Sequence, residues 1–188
     1  LTPVLDEPHL RLLCHEGEFQ PLLGELALHK LDAVLADRAA PPNRALRTTS
    51  QLLGTSAIAW YAPPLWAEAA ATDFPHSLAV VPVLLPTDHA AMRARIDHWL
   101  ERERIRPRIA GEFEDSALLS TFAATGMGVM PAPVSLGEHL AHTHGLVQVG
   151  TTPDVQEQFH LIYSARKVMH PLLTRLLEAG KSGTLLNQ

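Results

Sequence analysis

Gly111-Glu112-Phe113-Glu114-Asp115-Ser116-Ala117-Leu118-Leu119 decides how this chain of 188 residues is read. From Arg108 to Phe113 the pattern is extended and apolar-alternating. Beyond Asp115 the apolar positions Leu118, Leu119, Phe122 and Ala123 follow a helical period. A strand hands over to a helix, with Asp115 or Ser116 as the natural N-cap. Glu112 and Glu114 stand at that handover, where an open α/β sheet places its ligand.

Outward from this turn, the same strand-to-helix grammar repeats. On the N-terminal side, Val80 to Leu85 reads as a strand stopped by Pro86. Thr87-Asp88 then serves as N-cap for a helix whose Met92, Ile96, Trp99 and Leu100 share one face, the opposite face being Arg, Asp, His and Glu. On the C-terminal side, Gly126 ends the helix and the chain returns to the sheet through Val129, Met130 and Pro131. Ser135 to Glu138 has capping-box spacing for a short helix that Gly145 terminates. Leu146 to Val149 and Phe159 to Ala165 read as strands, and His170-Pro171 opens a last helix that Gly180 ends.

An earlier block has the same character. His9 to Cys14 reads as a strand, followed by a helix that starts near Glu18 or Phe19, holds Pro21 in its first turn and has apolar positions Phe19, Leu22, Leu23, Leu26 and Ala27, and Leu31 to Ala36 reads as an apolar strand covered on both faces. This predicts a β-α-β unit with a right-handed crossover. Two further extended pieces, Ala45 to Leu53 and Ser56 to Tyr61, flank Gly54. The stretch from Trp66 to Ser77 loosens into a passage between lobes. Two consecutive β-α blocks predict an α/β protein of two lobes.

Composition narrows the function. With 46% hydrophobic residues the chain can bury a sizeable core, and its formal net charge of -5 argues against gripping a phosphate backbone. The single cysteine, Cys14, excludes an internal disulfide and reads as a buried small hydrophobe. Apolar stretches are too short and broken to span a bilayer, and no leader of the secretory kind opens the chain, which suits the cytoplasm. The opening Leu1-Thr2-Pro3-Val4-Leu5 reads as the tail of something already under way.

Several familiar chemistries fail on spacing. His15-Glu16-Gly17-Glu18-Phe19 begins like a zinc-protease helix, but Phe19 stands where the second His must face the metal. His139, His142 and His144 sit on a short helix and its exit, where solvated histidine is ordinary, so no metal site is assigned. Ser116 lacks the Gly-x-Ser-x-Gly frame of a hydrolase nucleophile. Arg102, Arg104, Arg106 and Arg108 read as a solvated rim. What remains is a set of acids on loops after strands: Glu16, Glu18, Asp37, Asp88, Glu112, Glu114 and Asp115. Capping accounts for some of them, each contributing about 0.3–1 kcal/mol at a helix N-terminus. The rest suit a hard cation or an amine.

Three segments then carry a resemblance: His29-Lys30-Leu31-Asp32-Ala33-Val34-Leu35-Ala36-Asp37, Gly111 to Leu118, and Gln156-Glu157-Gln158-Phe159 followed by His170-Pro171. In order, from about His9 to Glu178, the chain resembles the effector-binding domain of LysR-type transcriptional regulators, and within them the NhaR-like branch that activates sodium/proton antiporter genes. The resemblance implies two Rossmann-like lobes of the periplasmic-binding-protein type II kind, joined by two crossover strands. It places lobe 1 at residues 1–62 and 163–188, and lobe 2 at 63–162. It implies no enzyme activity and no catalytic residue. It also implies a homo-dimer or tetramer, and contact with DNA only through a winged helix-turn-helix preceding this chain. Against the family pattern, that domain and the first strand and most of the first helix of lobe 1 are missing.

For this branch the resemblance implies sensing of Na+, with pH, in the inter-lobe cleft. The effector site is expected at Glu16 and Gly17 from lobe 1, and at Glu114, Asp115 and Ser116 from lobe 2, with Thr87 and Asp88 as second choices. The alternatives are a sensor of a small organic metabolite, a small enzyme using Glu16 and Glu114 as acid and base, and a transport-type binding protein.

Overall fold

The computed structural model describes Val4 and residues 6–42, 48–164 and 170–181. The chain forms two compact units, Leu1–Thr55 with Gln158–Gln188, and Ser56–Glu157.

In the first unit, α1 (Phe19–Ala27) starts after Glu18, whose extended backbone places Pro21 in the first turn. Leu23 and Leu26, one turn apart, bury against Val34 and Ile162. Strand β1 (Ala33–Ala36) pairs antiparallel with the last part of β6 (Val147–Ser164), from Ala33 opposite Tyr163 to Ala36 opposite His160. Helix α6 (Pro171–Lys181) lays Leu176 and Leu177 on Leu53 and Leu161.

The expected strand from His9 to Cys14 does not form. Residues 10–18 are irregular, with Leu12 and Leu13 49% and 68% exposed, and Cys14 is exposed rather than buried. An alternating pattern makes a strand only where a neighbour completes its ladder. The described partner of β1 is β6 and it runs antiparallel, so the predicted parallel crossover is not made. Nor is β1 covered on both faces. Val34 is buried while Leu35 is 53% exposed, the alternation of a strand with one solvated face.

Strand β2 (Thr48–Ala62) runs unbroken through Gly54, so the two expected pieces are one strand; Ala45 to Arg47 lie outside the described residues. Gly54 does not adopt a positive φ. Pro64 then opens α2 (Pro64–Thr72) at its first position, and a 3-10 turn follows at His76–Ala79. The stretch expected as an irregular passage is therefore largely helical, as its alanines favour.

The second unit is built on β3 (Pro82–Pro86), parallel to β4 (Arg108–Phe113). Val129 bridges to Val83 on the other side of β3, just before β5 (Met130–Pro133), which pairs antiparallel with β2. Among the described strands the neighbours run β1-β6-β2-β5 in one sheet and β3-β4 in the other. Side chains alternate between two cores. Ile58, Trp60, Val83 and Leu85 join Ile96 and Trp99 of α3 (Ala91–Arg102) on one face. Ala59, Tyr61, Leu84 and Met130 join Leu119 of α4 (Ser116–Ala124) and Leu140 of α5 (Gly137–His144) on the other. Two covered faces explain why β3 is apolar at every position.

Helix caps match the sequence in part. Asp115 caps α4, and Gly145, at φ 65°, ends α5. Thr87-Asp88 do not cap α3, which begins three residues later at Ala91 after an uncapped Ala90. The capping box at Ser135 is also unmade, because Ser135 lies in a 3-10 turn over Val134–Leu136 and its N–H donates to Ser56 Oγ at 3.1 Å.

Candidate functional site

In a parallel pair both strands deliver their following loops to the same edge. The carboxyl ends of β3 and β4 meet in this way, and the Thr87 N–H donates to the Phe113 carbonyl at 3.0 Å. This bond continues the β3–β4 ladder, whose register ends at Pro86 opposite Phe113, so Thr87-Asp88 and Glu114-Asp115-Ser116 leave the sheet at the same edge. Five of the seven residues expected at the site thus share one edge of the second unit. Glu16 and Gly17 belong to the first unit, on its exposed irregular segment ahead of α1.

Several positions of the Gly111–Leu118 motif have a physical task. A Cβ on Gly111 would come within 3.0 Å of the Phe113 ring and 3.1 Å of Met127 Cε, closer than side chains comfortably approach. Phe113 in turn packs on Phe122 with centroids 5.1 Å apart. Asp115 Oδ1 accepts from the Leu118 N–H at 2.7 Å, satisfying one of the open amides of the first turn. Ser116 is the first helical residue; its carbonyl accepts from Ser120 Oγ. The Glu114 carboxylate has no protein partner among the described residues, and Asp88 has only His89 at 3.8 Å.

Arg93 was not foreseen as a site residue. It reads as part of the solvated face of α3, yet its side chain is only 14% exposed. Its Nε donates to Asp97 at 2.9 and 3.0 Å, and its Nη1 donates to the Pro86 carbonyl at 2.8 Å and to Glu112. One guanidinium therefore ties the end of β3, the end of β4 and helix α3 together. Burial disfavours its charge, but the hydrogen bonds to Glu112 and Asp97 more than offset this and hold its pKa above the usual arginine value. The Arg93–Asp97 spacing of four was the one sequence signal available. Glu112, expected as a spare acid, is thus already engaged. Asp37 is likewise paired, with Arg38 at 2.8 Å.

The edge therefore offers two uncommitted carboxylates, Asp88 and Glu114, beside a capped helix start. It holds no nucleophile with a base. Among the described residues no group of three or more His, Cys, Asp or Glu is placed to hold a metal, the histidines of α5 included. Gly17 is not sterically required: a Cβ there would meet only Leu22, at 3.7 Å, an ordinary contact.

The LysR substrate binding domain family matches residues 5–183. The transcriptional activator protein NhaR of Escherichia coli K12 is 25% identical over 176 residues, covering 92% of this chain and 56% of that protein. The chain thus spans about half the length of the curated relatives it matches. Among solved structures, a reduced form of OxyR from N. meningitidis aligns at TM-score 0.68 and 18% identity, over 98% of this chain and 87% of that one. The effector-binding domain of QuiR, in complex with shikimate, aligns at TM-score 0.63 and 16% identity, over 89% of this chain and 79% of that one. These likenesses establish the periplasmic-binding-protein-like type II fold.

Proposed function

The chain belongs to the LysR substrate-binding domain family, so it is an effector-binding domain and not an enzyme, and we propose that its effector is Na+, with a dependence on pH. The Glu16–Glu114 acid/base alternative is set aside with that membership. The observation that carries the cation reading is the pair Asp88 and Glu114. Both sit at the carboxyl edge of parallel strands, both are exposed, and neither is neutralised by Arg93, whose charge Glu112 and Asp97 already take. Carboxylates next to backbone carbonyls suit a hard cation. The likeness of Gly111 to Leu118 to NhaR-like regulators supports the same ion.

In this reading Thr87, Asp88, Glu114, Asp115 and Ser116 form the effector site on the second unit. The lobes are assigned to residues 1–62 with 163–188, and to 63–162. The whole regulator works in the cytoplasm as a dimer or tetramer and reaches DNA through a winged helix-turn-helix outside this chain. Effector binding biases an equilibrium between regulator conformations, which requires unequal affinity for the two. The described residues contain no helix long and apolar enough to cross a membrane.

The test is the melting temperature of the chain in NaCl against KCl at equal ionic strength, across pH. A rise specific to sodium, lost in Asp88→Asn with Glu114→Gln, supports the proposal; identical melting in both salts at every pH removes it. A second reading, a small organic effector, is favoured by the number of acids already committed: Glu112 to Arg93, Asp115 to its cap and Asp37 to Arg38. The QuiR domain carries shikimate on this fold, so shikimate is the first organic probe, with a sodium-independent rise in melting temperature as its signature.

A further inference from the structure

We infer that the second unit carries another ligand site, a pocket between α3 and β6 that takes a small organic anion with a flat apolar body, such as an aromatic carboxylate. The pocket measures about 340 Å³. That is at the small end of the volumes that hold small molecules. The inference goes beyond the strand-end effector and does not rest on it.

The residues that shape the pocket follow from helix geometry. Arg95, His98 and Arg102 recur at intervals of three and four along α3, which brings them to one side of the helix. Trp99 and Val155, both nearly buried, supply the apolar lining between them. Trp99 is itself stacked on Phe74, with centroids 6.3 Å apart, so its indole is held in place before any ligand arrives.

The two guanidinium groups are fixed by the strand. Arg95 Nη1 donates to the Gln156 carbonyl, and Arg102 Nη2 donates to Asp154 at 2.9 Å. Glu103 also accepts from Arg102, at 3.2 and 3.3 Å. Two carboxylates therefore offset Arg102, and none is bonded to Arg95. An arginine has five N–H donors, and the remaining donors of Arg95 meet no protein acceptor among the described residues. His98 also makes no hydrogen bond there. The pocket thus presents one uncompensated planar charge, a ring nitrogen able to donate or accept, and an aromatic wall. A cation is repelled by the uncompensated Arg95 guanidinium, and a neutral apolar molecule leaves Arg95 unpaired. A carboxylate accepts two parallel bonds from the guanidinium fork while its ring lies along the indole.

The position gives such a ligand leverage. Helix α3 holds the strand-end edge through Arg93 in its first half and this pocket in its second. Asp154 and Gln156 lie within the last four residues of β6 before it leaves the second unit after Glu157.

The experiment is a titration of the isotope-labelled chain with potassium benzoate, so that sodium plays no part, followed by NMR of the Trp99 indole N–H and the Arg95 Nε–H. Potassium chloride at matched ionic strength and neutral benzyl alcohol are the controls. The expected result is a saturable shift of both resonances with benzoate, about tenfold weaker binding of benzyl alcohol, and about tenfold weaker binding of benzoate to Arg95→Gln. A smaller loss is expected for Arg102→Gln, whose charge is already offset. Should Arg95→Gln not give a folded spectrum, Arg95→Lys makes the same test, since it keeps a point charge and loses the fork; several-fold weaker binding is expected. No shift with benzoate up to about 10 mM, equal binding of benzyl alcohol, or unchanged binding in the folded Arg95 variant overturns the inference.

Discussion

The carboxyl edge of β3 and β4 and the loop ahead of α1 look alike in sequence, each pairing acids and a glycine with the start of a helix, and the structure treats them oppositely. At the edge three elements of the motif are engaged and Glu114 is left open: Gly111 makes room for Phe113, Arg93 engages Glu112, and Asp115 caps α4. In the loop, Gly17 faces open space beyond Leu22, Glu18 makes no side-chain cap, and the preceding residues form no strand. The difference lies in what runs alongside. Two parallel strands define a common edge and give a largely buried arginine something to join, whereas residues 10–18 have no ladder to complete among the described residues.

The largest test of this contrast is removal of one paired arginine from each unit. Arg93→Ala leaves two carboxylates and the Pro86 carbonyl without their donor, and urea unfolding is expected to show a loss of about 2–3 kcal/mol. Arg38→Ala, in the first unit, removes a half-exposed pair with Asp37 and a ring contact with Phe19, and is expected to cost at most about 1 kcal/mol. Equal losses break the comparison.

The caps come next. Asp115→Ala is expected to lower stability by about 1 kcal/mol, while Glu18→Ala, at the corresponding position of α1, stays within about 0.5 kcal/mol. The glycines give the smallest effect and the finest discrimination. Gly111→Ala forces Phe113 and Met127 to shift and is expected to be destabilising, whereas Gly17→Ala is neutral or stabilising by a few tenths of a kcal/mol. Thermal unfolding of the two variants side by side reads the sign of each.

These contrasts also show which features a sequence exposes. The buried face of α3 through Ile96, Trp99 and Leu100, the cap at Asp115 and the end of α5 at Gly145 are set by residues within a turn or two, and they were legible. The length of β2 and β6 was not. Gly54 and the Thr152-Pro153-Asp154 stretch carry loop-like residues, yet both lie within strands, where Thr152 Oγ1 donates to the Ile58 carbonyl 94 residues away. Leu10, Leu12 and Cys14 mislead in the opposite sense, because alternation states which side a residue faces and not whether a neighbour exists. Arg93 fails for the same reason: helical periodicity assigns it to an outer face, and only β4 supplies Glu112 to draw it inward. Of the site, the edge residues were readable as a strand-to-helix turn, while the shared edge comes from the parallel pairing of β3 with β4, extended by the bond between Thr87 and Phe113.

The central claim is that the second unit's strand-end edge receives a cation. Its most direct test is a backbone-amide NMR titration of the chain in which NaCl replaces KCl at constant ionic strength. The account predicts saturable, sodium-specific shifts confined to Thr87–Asp88 and Glu114–Ser116, with no such response in Asp88→Asn combined with Glu114→Gln. Amide shifts that are the same in both salts, or that fall elsewhere and leave those five residues unmoved, contradict it.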